Sequence, residues 1–395
     1  MFKKSVIAVA LMAAATGSAL AQSAPAASAS PAPNVTVYGL IDMGVMSTNS
    51  AGAANGNLTT VVSGIDQTSR LGFRASEDLG GGLRSGAVLE MQVDGASANG
   101  VAGSQGLGSA SGSANAVFSR GANVFLDHSK FGRLTMGRQA NAAWGDYASL
   151  DGRRNSNFGS ITNFIADGSS FGGTATAKTG LGNYTGGPFT SNTIRYDTPR
   201  WKGISGTYAR VFGNTAGDAD KSSADQYIVR YDNNGMFYGA FGMYKVNNST
   251  GNASGDNTFV GAGARVTKDL TLTSSFFKLA NPSNEAGTNG SFDLYSVGAR
   301  YQVNPKVDVT TGIYQLNDNN NSANGASLQS AQVTYAFSRR TQVYLAGSFV
   351  QNKGATGISA YGGGGANLNS LGTSNALATA GADQTAYAVG LRHSF

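Results

Sequence analysis

Arginine is the residue type with the most chemistry to offer in this chain, and its spacing is informative. Arg70, Arg74, Arg84, Arg120, Arg133, Arg195, Arg230, Arg265, Arg300 and Arg392 lie in short segments where apolar residues alternate with polar or small ones. In each segment the arginine falls on the polar parity. A guanidinium stays charged at any working pH and presents a planar fork of donors suited to carboxylate or phosphate. The acids placed on the same parity are fewer, chiefly Asp42, Glu90, Asp94 and Asp197. Such a surface attracts anions but performs no covalent step by itself. The motifs of covalent chemistry are missing: there is no G-x-S-x-G elbow, no Walker loop and no H-E-x-x-H. His128 and His393 are the only two histidines and cysteine is absent. No metal, no cofactor and no enzymatic reaction is therefore expected. The basic balance does not point to nucleic acid, because the cations are spread over many segments and not clustered on a helix.

The elements that must position these arginines are strands. In the closing segment 384–395, Tyr387, Val389, Leu391 and Phe395 share one parity, while Ala386, Ala388, Gly390, Arg392 and Ser394 share the other. Successive side chains of a strand point to opposite faces, so this segment is greasy on one side and wet on the other. The same pattern recurs upstream. Val37, Gly39, Ile41 and Met43 oppose Tyr38 and Asp42; Leu71, Phe73 and Ala75 oppose Arg70, Gly72 and Arg74; Leu89, Met91 and Val93 oppose Arg84, Glu90 and Gln92. Segments 236–246 and 270–280 carry apolar residues on both parities and leave their faces open. With 56 Gly, 16 Tyr and 19 Phe but only 7 Pro, composition favours strands and turns.

Tight turns such as Asp78–Gly82, Asp232–Gly235 and Asn304-Pro305 alternate with long polar stretches at 47–66, 95–115, 247–256, 281–290, 317–326 and 353–383. Strands are expected at sixteen places, including 35–46, 67–77, 117–127, 192–198 and 384–395. Short turns alternating with long loops, and an even strand count, describe an antiparallel β-barrel in lipid with its turns on the periplasmic side. A soluble sandwich or propeller is the alternative, but no blade-length repeat is present. The fold class is thus all-β: a sixteen-stranded antiparallel transmembrane β-barrel over 34–395. An arginine facing hydrocarbon costs about 2–4 kcal/mol, so the strand arginines should face the lumen.

Residues 1–21 read as an export signal: Lys3 and Lys4, an apolar run from Val6 to Ala15, and the small-x-small site Ala19-Leu20-Ala21. Its removal takes away both lysines and lowers the formal charge from +6 to +4. Residues 22–33, rich in Ala, Ser and Pro, form a flexible linker. The longest connection, 139–191, joins two short strands. It carries Trp144, Tyr147, Phe158, Phe164 and Phe171, enough apolar surface to pack. Its charges are Asp146, Asp151 and Asp167 beside Arg153, Arg154 and Lys178. Folded inward, it would narrow the lumen and set these charges opposite the wall arginines; as an outer cap it would not.

Several segments resemble the general porins of Gram-negative bacteria, particularly those of Bordetella, Burkholderia and Neisseria relatives. They are Val35-Thr-Val-Tyr-Gly-Leu-Ile-Asp42, Ser69-Arg-Leu-Gly-Phe-Arg-Ala-Ser-Glu-Asp-Leu-Gly80, Phe131-Gly-Arg-Leu-Thr-Met-Gly-Arg-Gln139, Asn192-Thr-Ile-Arg-Tyr-Asp-Thr-Pro199 and the terminal Phe395. The resemblance implies a homotrimeric diffusion channel whose third long loop folds inward. It also implies that Arg70, Arg120 and Arg195, with Arg74 beside them, are the wall arginines of a constriction, and that Phe395 is read by the barrel-assembly machinery. The chain departs from the family in the loop, where Ser170-Phe-Gly-Gly173 lacks the family's glutamate.

The function expected is an outer-membrane channel for small hydrophilic solutes and ions, anion-preferring, in contact with outer-membrane lipid and lipopolysaccharide. Asp146, Asp151 and Asp167 are expected at the constriction with Arg70, Arg74, Arg120 and Arg195. Asp42, Arg84, Glu90, Arg230, Arg265, Arg300 and Arg392 are expected to line the remaining lumen. Small residues read as outward on early strands, Gly39, Ala75 and Gly121, are compatible with close subunit contact. The rivals are a solute-specific channel for anionic metabolites and a surface adhesin or structural barrel.

Overall fold

Alternation along the sequence becomes a wall with two faces. The computed structural model describes residues 34–51, 56–96, 117–165, 170–171, 188–280, 290–362 and 378–395. The expected export signal and linker, and Asp167, lie outside the described residues. Six strands come first: β1 (Asn34–Ala51), β2 (Gly56–Ser63), β3 (Arg70–Gly80), β4 (Leu83–Gln92), β5 (Gly121–His128) and β6 (Gly132–Ala140). The long connection contains helices α1 (Trp144–Leu150) and α2 (Thr162–Ile165) and the two-residue β7 (Ser170–Phe171). Then follow β8 (Phe189–Asp197), β9 (Ile204–Val211), β10 (Ala224–Asp232), β11 (Phe237–Asn247), β12 (Ala253–Arg265) and β13 (Leu270–Ala280). The chain ends with β14 (Ser291–Asn304), β15 (Val307–Asp318), β16 (Gly325–Ala336), β17 (Thr341–Lys353), the short β18 (Thr356–Gly357) and β19 (Gln384–Ser394).

β1 runs antiparallel to β19 from Leu40 to Thr48, and this pairing closes the sheet. The other edge of β1 is shared: β3 pairs with Asn34–Leu40 and β2 with Met43–Ala51. β2 and β3 are therefore two halves of one stave, and the result is a closed antiparallel barrel of sixteen staves. Here the structure corrects the sequence reading of a loop over 47–66 followed by a strand over 67–77. The stretch 58–62 still alternates, with Leu58 and Val62 less exposed than Thr59 and Val61, so it joins the wall. The chain leaves the wall only at residues 64–69.

Outward side chains such as Val124, Val229, Val260, Val297, Ile313 and Leu345 stand exposed. So continuous an apolar surface fits lipid and not water. Phe131, Trp201, Phe237, Tyr301, Phe337 and Phe395 stand exposed at the short-turn end, as interfacial aromatics do. Gly121 is not among the outward residues: it is buried and pairs with Glu90 on the lumen face.

A hydrophobic core lies inside the barrel. Leu150, Phe158, Ile161, Phe164 and Ile165 of the long connection pack with Leu294, Leu316, Leu328 and Val350 of the wall. Each such side chain contributes about 1.5–3 kcal/mol when fully buried. This core explains the two ambiguous segments. β11 turns Phe237 and Phe241 outward and Tyr244 inward, while β13 turns Leu272 outward and Phe277 and Leu279 inward. Both faces are apolar because α1 packs on the inner one, where the Tyr147 ring meets Phe259 at 4.9 Å and Phe277 at 5.1 Å. Residues 356–362, expected in an outer loop, also enter the lumen. Ile358 and Tyr361 join the core, β18 pairs with β7, and Phe158 bridges Tyr361. Gly152 lets the connection touch the wall backbone, since a Cβ there would strike the Thr311 carbonyl and the Gly298 Cα.

Candidate functional site

Two segments leave the wall and meet in the lumen. The first is residues 64–69, between β2 and β3. Gly64 adopts φ +77° and donates its N–H to the Asp42 carbonyl at 2.7 Å, which turns the chain inward. Ile65, Asp66 and Ser69 are buried, whereas Gln67 and Thr68 are only half-buried and reach the open lumen.

The second segment is residues 151–157, after α1. Asp151 is buried; its carboxylate accepts the Asn155 N–H at 2.8 Å and the Tyr314 hydroxyl. Arg153 is 2% exposed and donates to Thr310, to the Gln332 Oε1 at 2.9 Å and to the Phe158 carbonyl at 3.1 Å. Burial pushes the Asp151 carboxyl above the usual carboxylate range and pulls the Arg153 guanidinium below its ordinary value. Asn157 donates its N–H to the Asp66 carbonyl at 3.2 Å, and its side-chain amide to the Gly64 carbonyl at 2.7 Å and the Thr68 hydroxyl at 3.0 Å. Between these two anchors Arg154 and Asn155 take φ +57° and +55°. Such a backbone costs about 1–3 kcal/mol per residue and persists only where its surroundings over-determine it.

The two arms make a throat. Gln67, Arg70 and Arg154 line both a cavity of about 250 Å³ toward the long loops and one of about 430 Å³ toward the short turns. The upper cavity is lined by Arg70, Arg120 and Arg154, and no described carboxylate lines it. Arg120 donates to Glu90 at 2.6 Å and lies over the Phe189 ring at 4.8 Å. Arg154 meets Asp308 at 3.3 Å in a half-exposed pair, a contact worth about 0–1 kcal/mol. The Arg70 side chain has no hydrogen-bond or ion-pair partner among the described residues, with Glu90 the acid that acts on it from a distance. The lower cavity adds Arg153, Lys306 and Arg392 against Asp66 and Asp308. The arrangement offers unneutralised positive charge across a narrow wet passage, where low-dielectric walls focus the field.

A profile of the Gram-negative porin family matches residues 8–355. The chain is a Gram-negative porin. It is 28% identical over 398 residues, the full length of both chains, to outer membrane porin protein 32 of Delftia acidovorans. It is 29% identical over 236 residues, 55% of this chain and 50% of the other, to an outer membrane porin of Bordetella pertussis. Among solved structures, an anion-selective porin from Comamonas acidovorans matches with a TM-score of 0.73 at 24% identity, covering 92% of this chain and all of that one. The porin lies in the outer membrane of a Gram-negative cell, crosses it many times, and passes small hydrophilic solutes passively through its water-filled lumen.

Within this porin the residues expected at a constriction separate. Arg70 and Arg120 are at the throat and the upper cavity. Arg74 sits with its guanidinium 5.6 Å from the centre of the Tyr38 ring. Arg195 is held at 2.8–3.0 Å by Asp197 of its own strand and lines neither throat cavity. Asp146 binds Arg230 at 2.6 and 2.7 Å, and Asp151 is buried against the wall, so neither acid faces Arg70 or Arg120. Burial raises the Asp146 carboxyl above the usual range while Arg230 pulls it down. The loop thus presents Arg154 at the same cavities as Arg70, and its described acids, Asp146 and Asp151, are spent on docking.

The expected lining residues are mostly neutralised. Arg84 pairs with Asp127 at 2.8 Å, Arg265 with Asp232 at 2.7 Å, and Arg392 with Asp66 at 2.5 Å. Arg300 donates to the carbonyls of Ala148 and Ser149 at 2.8 Å. Asp42 is fully buried and, although it lies opposite Arg392 in the ladder, makes no ion pair among the described residues. Sequence reasoning missed Asp66, Gln67, Asp127, Asp232, Lys306 and Asp308. Asp127 and Asp232 were discoverable, because each ends a strand on the same parity as an arginine on its neighbour or next neighbour.

Proposed function

We propose that this porin prefers anions and that Arg70 and Arg154 at the throat, with Arg120 above them, set the preference. The observation that carries the reading is the upper cavity, lined by three arginines and by no described carboxylate. Two cations about 4 Å from a passing ion act with roughly 1–4 kcal/mol each, between the limits of bulk water and a protein surface. That is enough to exclude small cations several-fold without trapping anions. The anion-selective porin of similar fold supports the reading by analogy. The test is the zero-current potential of single channels in a potassium chloride gradient. A sign corresponding to chloride preference is expected; a potential at zero or of the cation sign refutes the proposal.

A solute-specific channel for anionic metabolites is the second reading, favoured by the five cations against two acids that line the lower cavity. It requires conductance that saturates with a small dicarboxylate at low concentration. Around the barrel, the reading includes a homotrimer, supported by the similar fold of a Vibrio cholerae outer membrane protein solved in trimer form, with a TM-score of 0.59. Outward Gly39 and Ala75 would lie at the contact. It also includes cleavage after Ala21, lipopolysaccharide around the outer rim, and recognition of Phe395 during assembly. Phe395 exchanges backbone hydrogen bonds with Gly39 at 3.0 and 3.1 Å, so the terminal residue closes the seam with the first strand.

A further inference from the structure

The conduction pathway leaves one buried carboxylate without a task. Asp42 is 0% exposed, faces inward from β1, and makes no ion pair with any lumen arginine in the described residues. Its carboxylate instead accepts three hydrogen bonds. Oδ2 takes the backbone N–H groups of Asp66 at 3.0 Å and Gln67 at 2.7 Å, and Oδ1 takes the Tyr344 hydroxyl at 2.6 Å. Its main chain holds the same segment from the other side. The Asp42 carbonyl accepts from Gly64 N–H at 2.7 Å and from the Ser69 hydroxyl at 3.1 Å, while the Asp42 N–H donates to that hydroxyl oxygen at 3.0 Å. Every end of the inward turn 64–69 is thus tied to this one residue.

Tyr344 reaches Asp42 because Gly390 lacks a side chain: its ring lies over Gly390, where a Cβ would overlap the ring. The turn in turn carries the throat. Gln67 and Arg70 reach the passage, Asp66 fixes Arg392 and Gln332, and Gly64, Asp66 and Thr68 receive Asn157 of the opposite arm. A carboxylate buried with three donors has fixed geometry and is costly to leave half-satisfied. That cost selects the one turn conformation in which all three donors converge.

We propose that Asp42 is a positioning residue for the throat: it acts through the inward turn 64–69, a second constriction arm that meets the long connection at Asn157. The inference concerns the width and shape of the passage and does not rest on anion preference, so either can fail alone.

The chain has no cysteine, which gives a clean readout. Gln67→Cys places a thiol in the throat, and a charged methanethiosulfonate reagent should block a large part of its conductance. In Asp42→Ala with Gln67→Cys the turn is released. Open-channel conductance should rise roughly two-fold with added current noise, and block by the reagent should weaken, because a narrow passage dominates the series resistance. Folding is checked by heat-modifiable migration of the barrel. Where Asp42→Ala does not fold, Asp42→Leu, which fills the space but offers no acceptor to the two N–H groups or the Tyr344 hydroxyl, is read in the same way. Asp42→Glu should restore neither conductance nor block fully, since its longer arm cannot meet all three donors. Unchanged conductance, with unchanged block of the thiol introduced by Gln67→Cys, in folded Asp42→Ala or Asp42→Leu channels overturns the proposal. So does a shift of zero-current potential alone, which would make Asp42 a direct source of field.

Discussion

Two arcs of the lumen carry similar numbers of arginines and do opposite things with them. On the arc of β8, β10, β12 and β14, Arg195, Arg230 and Arg265 each meet a carboxylate within 3.0 Å, and Arg300 is spent on loop carbonyls. On the arc of β3 and β5, Arg120 is held by Glu90 at 2.6 Å but the Arg70 side chain has no ion-pair partner among the described residues. At the same cavities Arg154 of the connection holds only a long, half-exposed contact. The first arc is scaffolding: its charges dock α1 and hold strands in register. The second is the source of the field. Counting inward arginines therefore overstates the charge a passing ion meets, and what matters is which of them lack a carboxylate.

The largest effect should come from reversing the unpaired and weakly paired throat charges. Arg70→Glu with Arg154→Glu replaces about 1–4 kcal/mol of attraction per site with repulsion, and the zero-current potential should change sign to cation preference. A smaller effect, in the opposite direction, should follow from releasing a paired cation. Asp146→Asn takes the charge from a mostly buried pair, frees Arg230 and should raise the chloride-to-potassium permeability ratio about two-fold. The smallest should come from pH. Burial raises the Asp146 carboxyl, so it takes up its proton at a higher pH than the ordinary carboxylate near about 4. Arg230 stays charged beside it, with Arg195 and Asp197 farther away. Anion preference should therefore grow as pH falls from neutral through the weakly acidic range, and the step should shrink in Asp146→Asn, read from potentials at each pH.

Much of the architecture was legible because period-two alternation is a local property. Val37 against Tyr38, Phe73 against Gly72 and Leu89 against Glu90 place each strand on the wall without any knowledge of its neighbours. The alternation became ambiguous where Tyr244, Phe277 and Leu279 turn inward onto Tyr147, since an apolar inner face is needed only if a loop packs there. The throat was half legible. The connection over 139–191 announced itself by length and aromatic content, and Arg70 and Arg120 by parity and resemblance. The inward turn was hidden in what reads as a polar loop, because its cause is non-local: Asp42, Tyr344 and Gly390 come from three strands far apart in sequence. The pairing of Asp146 and Asp151 was hidden for the same reason. A loop acid next to a basic wall can face the passage or dock on the wall, and only the positions of Arg230 and Tyr314 decide.

The contrast between the arcs is tested most directly by zero-current potentials of two doubly substituted channels under one salt gradient. Arg70→Ala with Arg154→Ala removes one unpaired and one weakly paired throat cation, and Arg265→Gln with Asp232→Asn removes one complete pair. The first should lose most of the anion preference while the second keeps the potential of the unaltered channel. Equal losses in both, or a larger loss in the second, would contradict the account.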